Sequence, residues 1–398
     1  MKATKKANEP FRAFQLLTQH SVLFSQEKPM STQHPIIRIA NIDFDFGVIT
    51  PYIIDESVME IMIARYDTIY IEQKGKLIET GVSFGSEEAL MVFIQHIADQ
   101  LGRTVDEMTP MFDMMFPNSR LLMNVVLRPV AAHGPTVTLR KFATNPLKME
   151  DLLRFGAITP DIVTFLKACI QTQLNMVICG GTGSGKTTVY NIVAGFIPED
   201  ERIVTVERQL ELQLMQKHVI PLVARPANAD GKGEIAMRDL LVNALKMRPD
   251  RILAGEVHGG EVVDIVQAMK TGHNGSMLSL HAESSRDALA RLEVMYTMGL
   301  PDMPLNRIRE DLATAIDIIV HQQRLRDGKR KIMAVTEIMG MEGQFIKTQD
   351  IFTFEQTDVQ DGKIIGTISP TGNVPRCVAA MKDAGITFPE DFFNPNNP

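Results

Sequence analysis

The spacing of apolar residues changes along the chain, and the changes divide it. Two short β-rich runs, 68–72 and 77–80, flank Lys74-Gly75-Lys76, the pattern of a hairpin. Residues 87–101 then carry Leu90, Phe93, Ile94, Ile97 and Leu101 at helical spacing, and Gly102 supplies the stop. Runs 121–127 and 136–139 read as strands. Together they predict a small α+β domain over 51–140, followed by a linker over 141–148 marked by Asn145-Pro146.

Beyond the linker, helical and strand patterns alternate. Strands are predicted at 175–179, 203–206, 251–254, 277–280 and 316–320. Between them lie helices at 186–194, at 236–247 (stopped by Arg248-Pro249) and at 261–270, the last with Val262, Ile265, Val266 and Met269 on one face. Such alternation predicts an α/β fold over 149–340. Residues 341–398 form a strand-rich appendage whose Phe388, Phe392 and Phe393 dock on the core, with a partner surface as the alternative.

Composition narrows the class. With 44% hydrophobic and 22% charged residues, the chain is an ordinary globular one. Its long uncharged stretch, 168–185, is too rich in Gly, Gln, Asn and Thr to span a bilayer, and the N-terminus lacks the apolar core of a secretory signal. A soluble, cytoplasmic protein is expected. Cys169, Cys179 and Cys377 make no CxxC pair, which argues against a disulfide framework or a zinc site. The net charge of −7 argues against broad nucleic-acid binding. It conceals a net +4 within residues 1–40, so residues 1–50 read as a basic, flexible tail, or else as a segment touching acidic lipid or a partner.

The chemistry concentrates at Gly180-Gly181-Thr182-Gly183-Ser184-Gly185-Lys186-Thr187, a fit to G-x-x-x-x-G-K-[ST]. Glycines let backbone N–H groups converge on phosphate oxygens, Lys186 reaches the β/γ-phosphates, and Thr187 offers a hydroxyl to Mg²⁺. A strand precedes the motif and a helix opens at Lys186, aiming its positive dipole end at the same anion. Hydrolysis also requires an acid and a cation for developing charge. Glu207 and Glu256 each follow a predicted strand, where an α/β sheet delivers its functional groups. A solvated loop carboxylate is the alternative for each. His273 and His281 bracket another strand without metal-ligand spacing. His281 is left open between a γ-phosphate sensor and a structural residue.

These segments resemble the type II/IV secretion ATPase family, and most closely its CpaF/Tad-type pilus-assembly branch. The resemblance rests on the phosphate loop and on Arg248-Pro249-Asp250-Arg251-Ile252-Leu253-Ala254-Gly255-Glu256-Val257. Gly259-Gly260-Glu261, Gly272-His273 through His281-Ala282, and Gly134-Pro135-Thr136-Val137-Thr138-Leu139-Arg140 extend it. It implies a RecA-like P-loop NTPase domain preceded by a PAS-like α+β domain, acting as a hexameric, Mg²⁺-dependent ATPase on pilus or secretion platform proteins of the inner membrane. ATP would sit on Gly180 to Thr187 and Thr188, the metal on Thr187 and Glu256. Lys186, Glu256, Glu207 and His281 would act in catalysis, with Glu207 and Glu211 in the acidic box. Arg120 and Arg140 would approach the phosphates from the N-terminal domain. Two departures stand out, Arg208 after Glu207 and His258 after Val257. They keep a slow regulatory paralogue in view; a conjugative or effector type IV secretion ATPase is the other alternative.

Overall fold

The computed structural model describes residues 35–395 other than 74, 104, 107, 118, 120, 142–146 and 228–231. The basic residues before 35, Lys74 of the hairpin, Arg120 and most of the linker therefore lie outside the described residues.

The N-terminal part begins with a hairpin, β1 (Ile37–Ile39) and β2 (Ile42–Phe44), and a short helix, α1 (Thr50–Ile54). Then come β3 (Val58–Arg65), β4 (Thr68–Gln73), β5 (Lys76–Glu79), helix α2 (Glu87–Gln100), β6 (Met111–Met115), β7 (Leu121–Val126) and β8 (Thr136–Lys141). The last six strands form one antiparallel sheet in the order β5-β4-β3-β8-β7-β6. Helix α2 is capped by Ser86, whose side chain accepts from Ala89 N, and it buries Leu90, Phe93, Ile94 and Ile97. Residues 35–50 correct the expectation of a tail. Phe44, Phe46 and Ile49 have no exposed surface and join α2 and the sheet in one core, and Phe44 packs edge-on against Phe116. The charge count had masked three large apolar side chains that burial rewards at roughly 1.5–3 kcal/mol each.

The second part carries α3 (Met149–Arg154), α4 (Pro160–Gln171), β9 (Met176–Gly180), α5 (Lys186–Ala194), β10 (Ile203–Glu207), β11 (Val219–Val223) and α6 (Met237–Ala244). It continues through β12 (Arg251–Glu256), α7 (Val262–Lys270), β13 (Met277–His281), α8 (Ser285–Gly299), α9 (Leu305–Ala315) and β14 (Ile318–Arg324). The chain then adds β15 (Arg330–Glu342), β16 (Phe345–Gln360), β17 (Lys363–Pro370) and α10 (Cys377–Asp383). One nine-stranded sheet runs β11-β10-β12-β13-β9-β14-β15-β16-β17, parallel as far as β14 and antiparallel beyond it. Its central strands are buried on both faces, which is why they read as unbroken apolar runs. Separate apolar clusters cover the two faces. Residues 388–393 close one of them, with Phe392 and Phe393 against Phe165 and Phe352. Arg248 ends the turn after α6 in a left-handed conformation (φ 54°), and Pro249 follows it.

The parallel strands place their C-terminal ends along one edge. Among the described residues no helix is long and apolar enough to cross a membrane, and the three cysteines are free thiols.

Candidate functional site

Gly180 ends β9 so close to β14 that a Cβ there would collide with the Gln322 carbonyl, which leaves glycine the residue that fits. The loop then rises to an exposed crest at Thr182 and Gly183 and turns into α5 through Gly183 (φ 69°) and Gly185 (φ 92°). Ser184 is buried beneath the crest, and Thr187 and Thr188 lie half-buried in the first turn of α5. Lys186 is nearly buried, and its Nζ lies 3.5 Å from Glu256 Oε2 and makes a long contact, 3.5 Å, to the Gly181 carbonyl.

Two strands, and the segment that follows one of them, bring acids to this loop. Glu256 ends β12, where the pairing with β13 shifts register between Ala254 and Glu256, so a bulge at Gly255 re-aims the carboxylate. Glu207 ends β10 and is almost fully buried. Its oxygens are engaged by its own surroundings: Thr205 Oγ1 donates at 3.0 Å, and the amides of Glu211 and Leu212 both donate at 2.8 Å. Burial pushes the Glu207 carboxyl above the usual carboxylate range, against the pull of those donors. Glu207 thus curls the following loop back on itself, and it is Glu211 that meets the phosphate loop, accepting from Thr187 Oγ1 at 2.9 Å. A cleft of about 190 Å³ opens here, lined by Thr187, Glu211, Glu256, Arg208 and His258 among others.

Magnesium fits these donors. It takes hard oxygens, usually one or two carboxylates beside substrate phosphates, and Thr187, Glu211 and Glu256 offer a hydroxyl and two carboxylates around the lysine. Among the described residues no group of His, Cys, Asp and Glu could hold a metal without such help.

His281 ends β13 directly beside Gly180 in the parallel register, with Nε2 3.7 Å from Glu283 Oε1. Arg140 lies exposed on β8 opposite Glu60, whose carboxyl burial raises and the nearby guanidinium lowers. Arg208, the departure in the acidic box, donates from Nη2 to Glu261 Oε1 at 2.7 Å. His258 N donates to the same oxygen at 2.9 Å, and these donors hold the Glu261 carboxyl low although its burial alone would raise it.

Sequence reasoning missed two cations at the loop. Arg330 Nε donates to the Gly183 carbonyl at 2.9 Å, and Arg324 Nη1 lies 3.7 Å from where a Cβ on Gly183 would stand. Their only sequence signal is the turn Arg326-Asp327-Gly328-Lys329 between two strands, which says nothing of what the turn faces.

A glycine-rich loop between a buried strand and a helix, with lysine, threonine and two acids converging on it, defines a RecA-like P-loop nucleotide-binding protein. The chain belongs to the family described as Type II/IV secretion system protein, whose profile matches residues 43–361. A putative conjugal transfer protein of Mycobacterium tuberculosis, Rv3659c, is 32% identical over 303 residues, 75% of this chain and 86% of that one. The type IV secretion system protein VirB11 of Bartonella henselae is 30% identical over 330 residues, 73% of this chain and 90% of its own. The solved structure of the ATPase DotB of Yersinia pseudotuberculosis shares the fold at TM-score 0.51 and 17% identity, over 71% of this chain and 76% of that one.

Proposed function

We propose that this protein is a Mg²⁺-dependent ATPase working as a hexameric ring against platform proteins of the inner membrane, on the cytoplasmic side. The observation that carries the reading is the pairing of Thr187 with Glu211 and of Lys186 with Glu256 at one phosphate loop. Lys186 and the loop amides hold the β- and γ-phosphates, Thr187 and the two acids hold the metal, and the nearly buried lysine stabilises charge on the leaving oxygens. Bound Mg²⁺ supplies charge neutralisation across those oxygens. Glu256 and His281 flank the position of the attacking water, while Glu207 shapes the loop that presents Glu211. Arg120 and Arg140 are candidate donors of further positive charge from the N-terminal domain.

The work driven is assembly of a Tad/Flp-type pilus or a related secretion apparatus, as the motif pattern suggests. A conjugative or effector type IV secretion ATPase is the second reading, and the names of the relatives at 32% and 30% identity favour it. The slow regulatory paralogue loses ground because Arg208 is held by Glu261.

Phosphate release from ATP by the purified chain with Mg²⁺, compared with Lys186→Ala, tests the activity. Turnover lost in the variant and a six-copy mass by light scattering are expected. Release no faster than that of the variant overturns the enzyme reading. Crosslinking to membrane proteins encoded beside the gene then separates the two apparatus readings.

A further inference from the structure

Two cations reach the phosphate loop from the strand pair on its far side. Arg324 ends β14 and Arg330 opens β15, so the turn between these strands carries both to the loop. Arg330 ties down the loop crest through the Gly183 carbonyl, and its Cδ lies 3.1 Å from the position a Cβ on Gly185 would take. Arg324 faces two ways. Its Nη1 lies beside Gly183, and its Nη2 donates at 3.4 Å to the carbonyl of Gly75, in the turn joining β4 and β5 of the N-terminal sheet.

The electrostatics of the pair are unbalanced. Burial, and then repulsion from Arg324, lower the Arg330 pKa, while Glu72 at the end of β4 pulls it the other way. Among the described residues neither guanidinium has a carboxylate within ion-pair distance. Beneath them Gln322 is 2% exposed, its Oε1 has no hydrogen-bond partner, and its Nε2 lies 3.8 Å from the Cβ position of Gly185. Two adjacent positive charges against a loop whose amides converge on an anion are completed by that anion.

We propose that Arg324 and Arg330 are positioning residues that read the charge of the bound nucleotide and report it to the N-terminal sheet through Gly75. A triphosphate draws both guanidiniums to the loop, and Arg324 releases the Gly75 carbonyl. A diphosphate leaves Arg324 free to return to it. Linkage makes the coupling reciprocal, so whatever holds the turn at Gly75 also biases the choice between the two nucleotides. This proposal rests on the ATPase reading above.

The test uses the full chain with Mg²⁺, titrated calorimetrically with ADP and with the non-hydrolysable analogue adenylyl imidodiphosphate. Hydrogen exchange of residues 72–77 is followed in each state. Arg330→Gln is expected to weaken the triphosphate analogue by roughly tenfold or more, the loss of one charged hydrogen bond, and ADP by less. Arg330→Lys should recover part of the preference. Arg324→Gln is expected to abolish the difference in exchange between the two nucleotide states that the wild type shows. Arg326→Gln, an exposed arginine of the same turn, should leave both readouts unchanged. Variants that melt like the wild type yet keep its nucleotide preference and its exchange difference overturn the proposal. A wild-type chain that binds neither nucleotide overturns the ATPase reading itself.

Discussion

Asp317, at the foot of β14, offers a test in which the protein's own electrostatics set the size of the effect. Its Oδ2 accepts from Asn175 N at 2.7 Å, and Asn175 in turn bonds the Ala315 carbonyl and Ser276 N, so this pair ties β9, β13 and β14 together. Burial, reinforced by Glu337 and opposed by the Asn175 amide, raises the Asp317 carboxyl from 3.8 to about 6. A folded pKa above the unfolded one means that the folded state binds the extra proton. The stability this contributes is complete below pH 3.8 and is lost as pH rises through about 6. A shift of about two units corresponds to roughly 3 kcal/mol. Asparagine mimics the protonated acid and keeps an acceptor for Asn175 N. Asp317→Asn should therefore match the wild type near pH 4 and exceed it by up to about 3 kcal/mol at pH 8. For a domain of this size that is a melting shift on the order of 6–12 °C. Urea unfolding of both proteins at several pH values between 4 and 8 measures the difference and cancels the other carboxylates. A difference that stays constant with pH, or a variant less stable than the wild type at pH 8, would show that Asp317 is ionised at no cost.

Three further tests bear on the site and the sheet that builds it. Arg208→Asp sets a second acid beside the nearly buried Glu261 and should lower both kcat and stability, the latter by roughly 1–3 kcal/mol; a faster enzyme would mean that Arg208 restrains the metal site. Glu211→Gln should cut turnover at least tenfold and raise the Mg²⁺ concentration needed for half-maximal rate, whereas Glu207→Ala should act mainly on stability, by about 2 kcal/mol, as two amides lose their acceptor. Equal Mg²⁺ dependence in the two variants would count against Glu211 as the acid at the metal. Arg251, fully buried at the start of β12, is paired with Glu201 and donates to the Ile170 carbonyl at 3.0 Å; Arg251→Met should cost about 3–5 kcal/mol in chemical unfolding, and Glu201→Met in the same chain should recover much of it.

What could be read in advance depended on how local the signal was. Helix α5 spans Lys186–Ala194 as its pattern predicts, because loop, lysine and apolar period lie in one short stretch. Among the elements that local pattern does not mark are the helices α3, α4, α8 and α9 and the strands β3, β6, β11 and β15. In α8 and β15 methionines and polar residues blur the period, and β11 is an edge strand with a mixed surface. At the site, the strand-end rule located Glu207 and Glu256 but could not say which way each carboxylate turns. That depends on the loop after β10, whose two amides capture Glu207 and deliver Glu211 instead. Arg330 was beyond reach for a different reason. It lies 147 positions from Gly183, and only the adjacency of β9, β14 and β15 in the sheet brings them together.

The aromatic segment 388–393 shares one apolar cluster with Met176 and Ile178 of β9 and with Val189 and Val193 of α5, the strand and helix that hold the phosphate loop between them. A load applied to that segment, by a bound partner or by a fused tag, is thus in mechanical series with the nucleotide site through close-packed side chains that yield little. Cleavage before Phe388 strips Phe165 of α4 and Phe352 of β16 of their ring contacts in that cluster, so a proteolytic nick far from the phosphate loop in the sequence should register as a change in how tightly nucleotide is held.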